Sequence, residues 1–205
     1  MKDGILELNG LSMVMLECLS YESKLGIPLK QNLHYFDKES LIAELTKMIK
    51  WLDAHELLSD SALDYRIKSL SSIMDKYDRY YPDHQARKVF NDILGFRAFC
   101  DSYDDVLKLD TGKFRIADMS QGKASDDGYR GVHVYFQCDG KHYPIEIQFN
   151  TLFDRQLNNW LHDYLYKKDY PDSLGATLRK LYEAGKIKNK KQFEEAMEDV
   201  LLDRS

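Results

Sequence analysis

What this chain lacks narrows its possibilities quickly. No apolar run approaches the roughly 20 residues a membrane-crossing helix requires, so no membrane contact is expected. The opening Met1-Lys2-Asp3-Gly4 starts no signal peptide, because acids and glycine interrupt its apolar run. Cysteine is scarce. Cys18, Cys100 and Cys138 are odd in number and far apart, without a C-x-x-C, which excludes a zinc site or a disulfide framework and suits a reducing cytoplasm. Excess positive charge is also missing. At a net charge of -5 no global field draws the chain to nucleic acid, so any such contact needs a local patch. There is no G-x-x-x-x-G-K-[ST], which excludes a P-loop kinase. His55-Glu56 lacks the second histidine of a zincin, and the dipeptide His162-Asp163 stands without the other ligands of a metal hydrolase. Internal repeats, low-complexity tracts and long linkers are absent.

What is present is a chain rich enough in apolar residues, at 43%, to bury a core, and 205 residues fit one domain or one domain with helical extensions. Apolar residues over 5–25 predict a helix with a loose apolar face, broken at Gly26-Ile27-Pro28. Residues 38–58 repeat apolar groups at Leu41, Ile42, Leu45, Met48, Ile49 and Leu52, a helical period. Asp60 or Ser61 can cap a further helix carrying Leu63, Ile67, Leu70, Met74 and Tyr77, which Pro82 ends. The period then shortens. Strands are expected at 93–100, 113–118, 131–138 and 142–149, with a short helix at 102–107, a polar loop over 119–128 and a hairpin turn at Asp139-Gly140. Helices follow over 152–168, 173–184 and 190–202. The fold class is α+β: a small mixed sheet flanked by N- and C-terminal helices. Its segments are 1–59, a core over 60–170, and 171–205, in one compact domain overall.

Chemistry-bearing residues concentrate between Arg66 and Thr151. On a helix over 63–80, Lys68, Ser72 and Lys76 at i, i+4, i+8 form one polar stripe, with Arg66 before it and Arg79 a turn further. A solvated helix face would look the same, but Asp92 and Arg97 follow at a strand entry. Glu146 projects mid-strand between Ile145 and Ile147, sharing a face with Gln148, and a buried carboxylate there needs partners. Glycines bracket Tyr129-Arg130, implying a tight loop that presents both side chains, and His133 lies opposite Val132 and Val134. Cations hold phosphates, separated carboxylates hold a hard cation such as Mg²⁺, and an aromatic can stack on a base. The set describes a site that moves a phosphate group of a nucleotide.

In order and spacing these residues resemble the synthetase domain of the RelA/SpoT family in its stand-alone small alarmone synthetase form. The pieces are Arg66-x-Lys68-x₃-Ser72-x₃-Lys76-x₂-Arg79, Asp92-Ile-Leu-Gly-Phe-Arg97, Lys123, Gly128-Tyr129-Arg130-x-x-His133 and Glu146-Ile-Gln148-x-x-Thr151, with His162 on the helix beyond. The resemblance covers roughly residues 60–170 and implies a nucleotidyltransferase-like sheet and Mg²⁺-dependent transfer of pyrophosphate from ATP to a ribose 3′-hydroxyl, releasing AMP. It implies that Arg66 and Arg97 sandwich adenine while Lys68, Ser72, Lys76 and Arg79 hold the ATP phosphates. Asp92 and Glu146 would bind Mg²⁺, with Glu146 also a base for the acceptor hydroxyl. Tyr129 would stack on the acceptor base, as a member of the catalytic set, with Lys123, Arg130, His133 and Gln148 lining the acceptor side.

The acceptor stays open between two readings. Members making (p)ppGpp usually carry Glu-Ile-Gln-Ile-Arg-Thr, whereas this chain has Asn150 in place of the arginine; the positions usually offering an asparagine and an acid on the next helix are Arg155 and Leu161. That weakened guanine set resembles the toxic branch of the family, which pyrophosphorylates the 3′ end of tRNA and blocks translation, and implies an antitoxin partner. A tRNA acceptor needs a basic surface. Residues 167–191 supply eight basic residues, among them Arg179, Lys180, Lys186, Lys188, Lys190 and Lys191, against three acids. A solvated helical hairpin would carry the same charges. The alternatives are a (p)ppGpp synthetase using GDP or GTP and a catalytically dead nucleotide-binding module; intact Asp92, Glu146 and the ATP set argue against the last. Cytoplasmic location and self-association complete the expectations.

Overall fold

A computed structural model of the chain describes residues 4–59, 62–109, 112–165 and 170–202. The expected α+β class holds. Helices α1 (Gly4–Glu7), α2 (Met13–Cys18), α3 (Lys38–Asp53) and α4 (Glu56–Ser59) precede β1 (Tyr65–Ile67), α5 (Leu70–Tyr80) and α6 (Ala86–Val89). Then come β2 (Leu94–Phe99), α7 (Tyr103–Leu107), β3 (Phe114–Met119), β4 (Gly131–Phe136) and β5 (Ile145–Asn150). The chain continues with α8 (Leu152–Tyr164), α9 (Asp172–Glu183) and α10 (Lys190–Leu202). The sheet order is β1-β2-β5-β4-β3, so the strands flanking Asp139-Gly140 are neighbours, but they stop at Phe136 and resume at Ile145, a longer connection than the turn expected at Asp139-Gly140.

Two expected helices fail. The helix over 5–25 is two short helices, because Asn9-Gly10 turns the chain (Gly10 φ 72°) and Ser12 caps a fresh start, accepting a bond from the Met15 amide at 3.2 Å. The helix over 63–80 starts only at Leu70, where Ser69 accepts from the Ser72 amide at 3.3 Å. Tyr65–Ile67 is instead an edge strand, antiparallel to β2 with Arg66 opposite Gly95. The anticipated stripe of Lys68, Ser72 and Lys76 on one helix therefore does not exist. The proposed caps Asp60 and Ser61 lie outside the described residues, as do Lys167 and Lys168, whereas the helix expected to reach 168 ends at Tyr164, with Leu165 as its cap.

The chain divides into two compact units. The first comprises Met1–Ala98, Lys108–Ile116 and His133–Gln148. Its long helix α3 is capped by Asp37, which accepts from the Ser40 amide at 2.9 Å, and buries Leu41, Leu45, Met48 and Leu52 at alternating spacings of four and three. Leu94, Phe96, Val134, Phe136, Ile145 and Ile147 fill one side of its strands. The second unit comprises Phe99–Leu107, Ala117–Val132 and Phe149–Ser205. Its core packs Leu157 and Leu161 of α8 with Leu174, Leu178 and Tyr182 of α9 and Phe193 of α10. No helix among the described residues is long and apolar enough to cross a membrane.

Candidate active site

In the first unit the alternation of β2 puts Leu94, Phe96 and Ala98 in the core and turns Gly95 and Arg97 to the other face. Because Arg66 pairs with Gly95, Arg66 and Arg97 share that face, one register step apart. A Cβ on Gly95 would lie 3.5 Å from Glu146 Oε2, so the same face carries Glu146.

The cations converge although they come from different elements. Lys68, just after β1, reaches Asp92 Oδ2 at 2.6 Å, and Lys76 from α5 reaches Asp92 Oδ1 at 3.0 Å and Asn91 Oδ1 at 3.4 Å. Arg66 Nη2 is 3.9 Å from the same carboxylate. Ser72 is exposed and bonds Ser69 Oγ at 2.9 Å; Arg79 is exposed in the last turn of α5, and Arg97 lies 3.7 Å from Asp64 in an exposed pair.

Glu146 is buried but well supplied with donors. His133 Nδ1 is 3.0 Å from Oε1, and Gln148 Nε2 donates to Oε2 at 2.7 Å. Burial pushes the carboxyl up, but bonds and charge from His133, with bonds from Gln148 and Tyr135, outweigh it and hold it down at about 2. Tyr135 is itself stacked under Arg115, whose guanidinium carbon is 4.0 Å from the ring centroid. A carboxylate held in its ionised form suits a cation as ligand. Asp92 and Glu146 are hard oxygen donors of the kind Mg²⁺ takes in ones and twos beside phosphate oxygens, so the donor set fits that ion. No cluster of three or more potential metal ligands occurs among the described residues.

Lys123, Tyr129 and Arg130 belong to the second unit, on the loop between β3 and β4. Asp126 accepts from the Gly128 amide at 3.0 Å and grips the Arg130 guanidinium with both oxygens, at 2.8 and 3.0 Å. That grip lowers the Asp126 carboxyl and raises Arg130. Asp127 accepts from the Tyr129 amide at 3.1 Å and from Lys123 Nζ at 2.5 Å, with Lys123 5.1 Å from the centre of the Tyr129 ring. The Arg130 carbonyl accepts from Asn150 at 2.8 Å and Asn158 at 2.7 Å. Gly128, at φ 87°, presses on α9, where an added Cβ would come within 2.4 Å of the Gly175 carbonyl. His162 is exposed on α8.

Of the basic patch, Lys180, Lys186, Lys188, Lys190 and Lys191 are exposed. Arg179 is a correction: it is fully buried, and its donors are occupied by the protein, so it is no surface contact. A basic surface that sequence reasoning did not find is a cavity of about 240 Å³ in the first unit, lined by Arg87, Lys88, Lys113, Arg115 and Tyr135 among others. Also missed was Gly175, where an added Cβ would come within 2.0 Å of the Asp127 carbonyl. A lone glycine inside a strand or helix pattern signals close approach by a neighbour, and that was the available cue.

Residues 65–170 match the family described as the region found in RelA / SpoT proteins. The chain belongs to the RelA/SpoT family of pyrophosphotransferases. A comparison with curated proteins returned no match. Among solved structures, small alarmone synthetase 1 from Bacillus subtilis bound to its product pppGpp is 23% identical, with 81% of this chain and 90% of that chain covered and a TM-score of 0.43. Small alarmone synthetase 2 from Bacillus subtilis is 21% identical, with 82% and 98% covered and a TM-score of 0.44. A GTP pyrophosphokinase family protein from Streptococcus pneumoniae is 22% identical, with 80% and 85% covered and a TM-score of 0.40.

Proposed function

We propose that the chain transfers the terminal pyrophosphate of ATP to a ribose 3′-hydroxyl, and that this hydroxyl is the one at the 3′ end of tRNA. The observation that carries the reading is the convergence of Lys68, Lys76 and Arg66 on Asp92, on a face that also holds Glu146. Three cations around one acid have little structural reason to meet there; a polyphosphate and its counter-ion give them one.

In this mechanism Arg66 and Arg97 clasp adenine, and Lys68, Ser72, Lys76 and Arg79 hold the phosphates. Asp92 and Glu146 would hold Mg²⁺, which when bound neutralises charge on the transferred group. The acceptor oxygen attacks the β-phosphorus, the bond from that phosphorus to the oxygen of the α-phosphate breaks, AMP leaves, and the hydroxyl proton passes to solvent. The residues contribute by positioning and charge neutralisation, which supply most of the acceleration in such chemistry. Tyr129 stacks on the acceptor base, with Lys123, Arg130, His133 and Gln148 on the acceptor side.

The choice of acceptor rests on the three positions that depart from the (p)ppGpp-forming pattern. Asn150 is buried and braces Arg130, and Leu161 is buried in the helical core. Arg155 puts a guanidinium 5.3 Å from the Phe99 ring centre, where those members usually offer an asparagine to guanine. The exposed lysines of α9 and α10 and the basic cavity lined by Arg87, Lys88 and Arg115 offer surfaces for an RNA backbone. On this reading the enzyme acts in the cytoplasm, blocks aminoacylation and requires a neutralising antitoxin.

The test supplies ATP labelled at the γ-phosphate with deacylated tRNA, GDP and GTP in parallel. Label on tRNA alone is expected. Label on GDP or GTP alone would make the chain an alarmone synthetase, and no transfer at all would make it a binding module.

A further inference from the structure

We infer that Arg179 is the positioning residue of the acceptor loop: a buried cation on α9 that fixes the backbone of Gly128-Tyr129-Arg130 so that Tyr129 is held ready for the acceptor base. The inference rests on the reading of Tyr129 as the acceptor-stacking residue and adds how that residue is held.

Each of the three guanidinium nitrogens donates a hydrogen bond. Nε donates to the Gly128 carbonyl at 2.8 Å, one Nη to Asp154 Oδ1 at 2.7 Å, and the other to Asn158 Oδ1 at 3.1 Å. The side chain is 1% exposed, so it meets neither solvent nor substrate. Each partner leads back to the loop. Asn158 Oδ1 also accepts from the Arg130 amide at 3.3 Å, and its Nδ2 donates to the Arg130 carbonyl. The residues on both sides of Tyr129 are thus fastened, one at its carbonyl and the other at both backbone groups, while the Tyr129 ring is left half-buried. Asp154 is held in turn by Tyr103 at 2.8 Å and Thr151 at 2.9 Å, so the anchor does not drift.

A merely structural ion pair would not need this geometry. Lysine would satisfy Asp154 but cannot present a planar fork to Gly128 and Asn158 at once. A second contact supports the same loop independently of charge: Gly175, one turn earlier on α9, lies against Asp127, and a Cβ there would come within 2.0 Å of its carbonyl.

The experiment uses the full chain as Arg179→Lys and, separately, Gly175→Ala. It measures steady-state kinetics with ATP and with tRNA, GDP and GTP, the melting temperature, and amide exchange over residues 119–131. In Arg179→Lys we expect kcat/KM for the acceptor to fall about tenfold or more, as small misplacements do. KM for ATP should stay within about twofold, and exchange at Arg130 should quicken by about tenfold or more. Gly175→Ala should give the same pattern. Acceptor kinetics and loop exchange unchanged in Arg179→Lys would overturn the inference, and so would parallel losses for ATP and acceptor with a lowered melting temperature. If the wild-type chain labels no acceptor, the functional reading fails by itself, and the exchange measurement alone decides the role of Arg179.

Discussion

The two units prepare for their ligands in opposite ways. In the first, charged side chains from β1, α5 and the approach to β2 are turned toward one another at a partly exposed face, with Asp92 only 13% exposed among Lys68, Lys76 and Arg66. On the proposed function these charges exchange partners with a polyphosphate. In the second, the backbone of Gly128 and Arg130 is fixed by a buried arginine and two asparagines, and the side chains Lys123 and Arg130 are tied to Asp127 and Asp126. On the proposed roles, the donor side is held by side-chain charge, whereas the loop that presents the Tyr129 ring is held through its main chain.

The largest effect that would break this contrast is on the donor side. Asp92→Ala is expected to lower kcat/KM by about 10³-fold, as loss of a charge-organising group does, while melting stays within a few degrees. Full activity would remove Asp92 from the metal and phosphate site. Next, Tyr129→Ala should weaken acceptor use by about 10- to 100-fold, the worth of one base–aromatic stack, with ATP affinity unchanged. Equal loss for both substrates would erase the distinction between the two sides.

A smaller effect concerns acid stability. The folded Glu146 carboxyl lies at about 2, below its ordinary 4.5. It therefore contributes stability fully above about 4.5, and that contribution is lost as pH falls toward 2. Glu146→Gln should flatten unfolding free energy against pH in this window. A slope unchanged by the substitution would show that His133 and Gln148 do not depress the group. The smallest effect compares two basic surfaces. Neutralising Lys186, Lys188, Lys190 and Lys191 or, separately, Arg87, Lys88 and Arg115 should reduce the salt slope of tRNA use by somewhat under one per lost phosphate contact. Whichever set leaves the slope untouched does not face RNA.

Much of the first unit was legible because its residue types carry their chemistry: Lys, Arg, Asp and Glu in the order of a known family. The elements that carry them were harder. Leu63, Ile67 and Leu70 mimic a helical period, and a three-residue strand is too short to declare its own; only Ser69, a good cap, marked the true start of α5. Lys68 and Lys76 still meet, but through Asp92 across β1 and α5 rather than along one helix face. In the second unit α9 and α10 were placed within one residue at each end, since their apolar spacing is regular, while α8 stops at Tyr164, four residues short of its expected end. Arg179 was misplaced for a plain reason. Flanked by Leu178 and Lys180 it has the look of a surface cation, and nothing local announces that Asp154 and Gly128 lie against it in three dimensions.

The contact of Gly128 with the Gly175 segment has a consequence for anyone redesigning the loop around Tyr129. A side chain at either glycine would meet the backbone of the other's segment, although 47 positions separate them in the chain. A combinatorial library that randomises the whole loop would lose nearly every member altered at 128 before selection for a new acceptor begins. Diversity placed at Gln121, Lys123, Ala124 and Ser125, at the cost of the Lys123 and Ser125 ion and hydrogen-bond partners, keeps that junction intact.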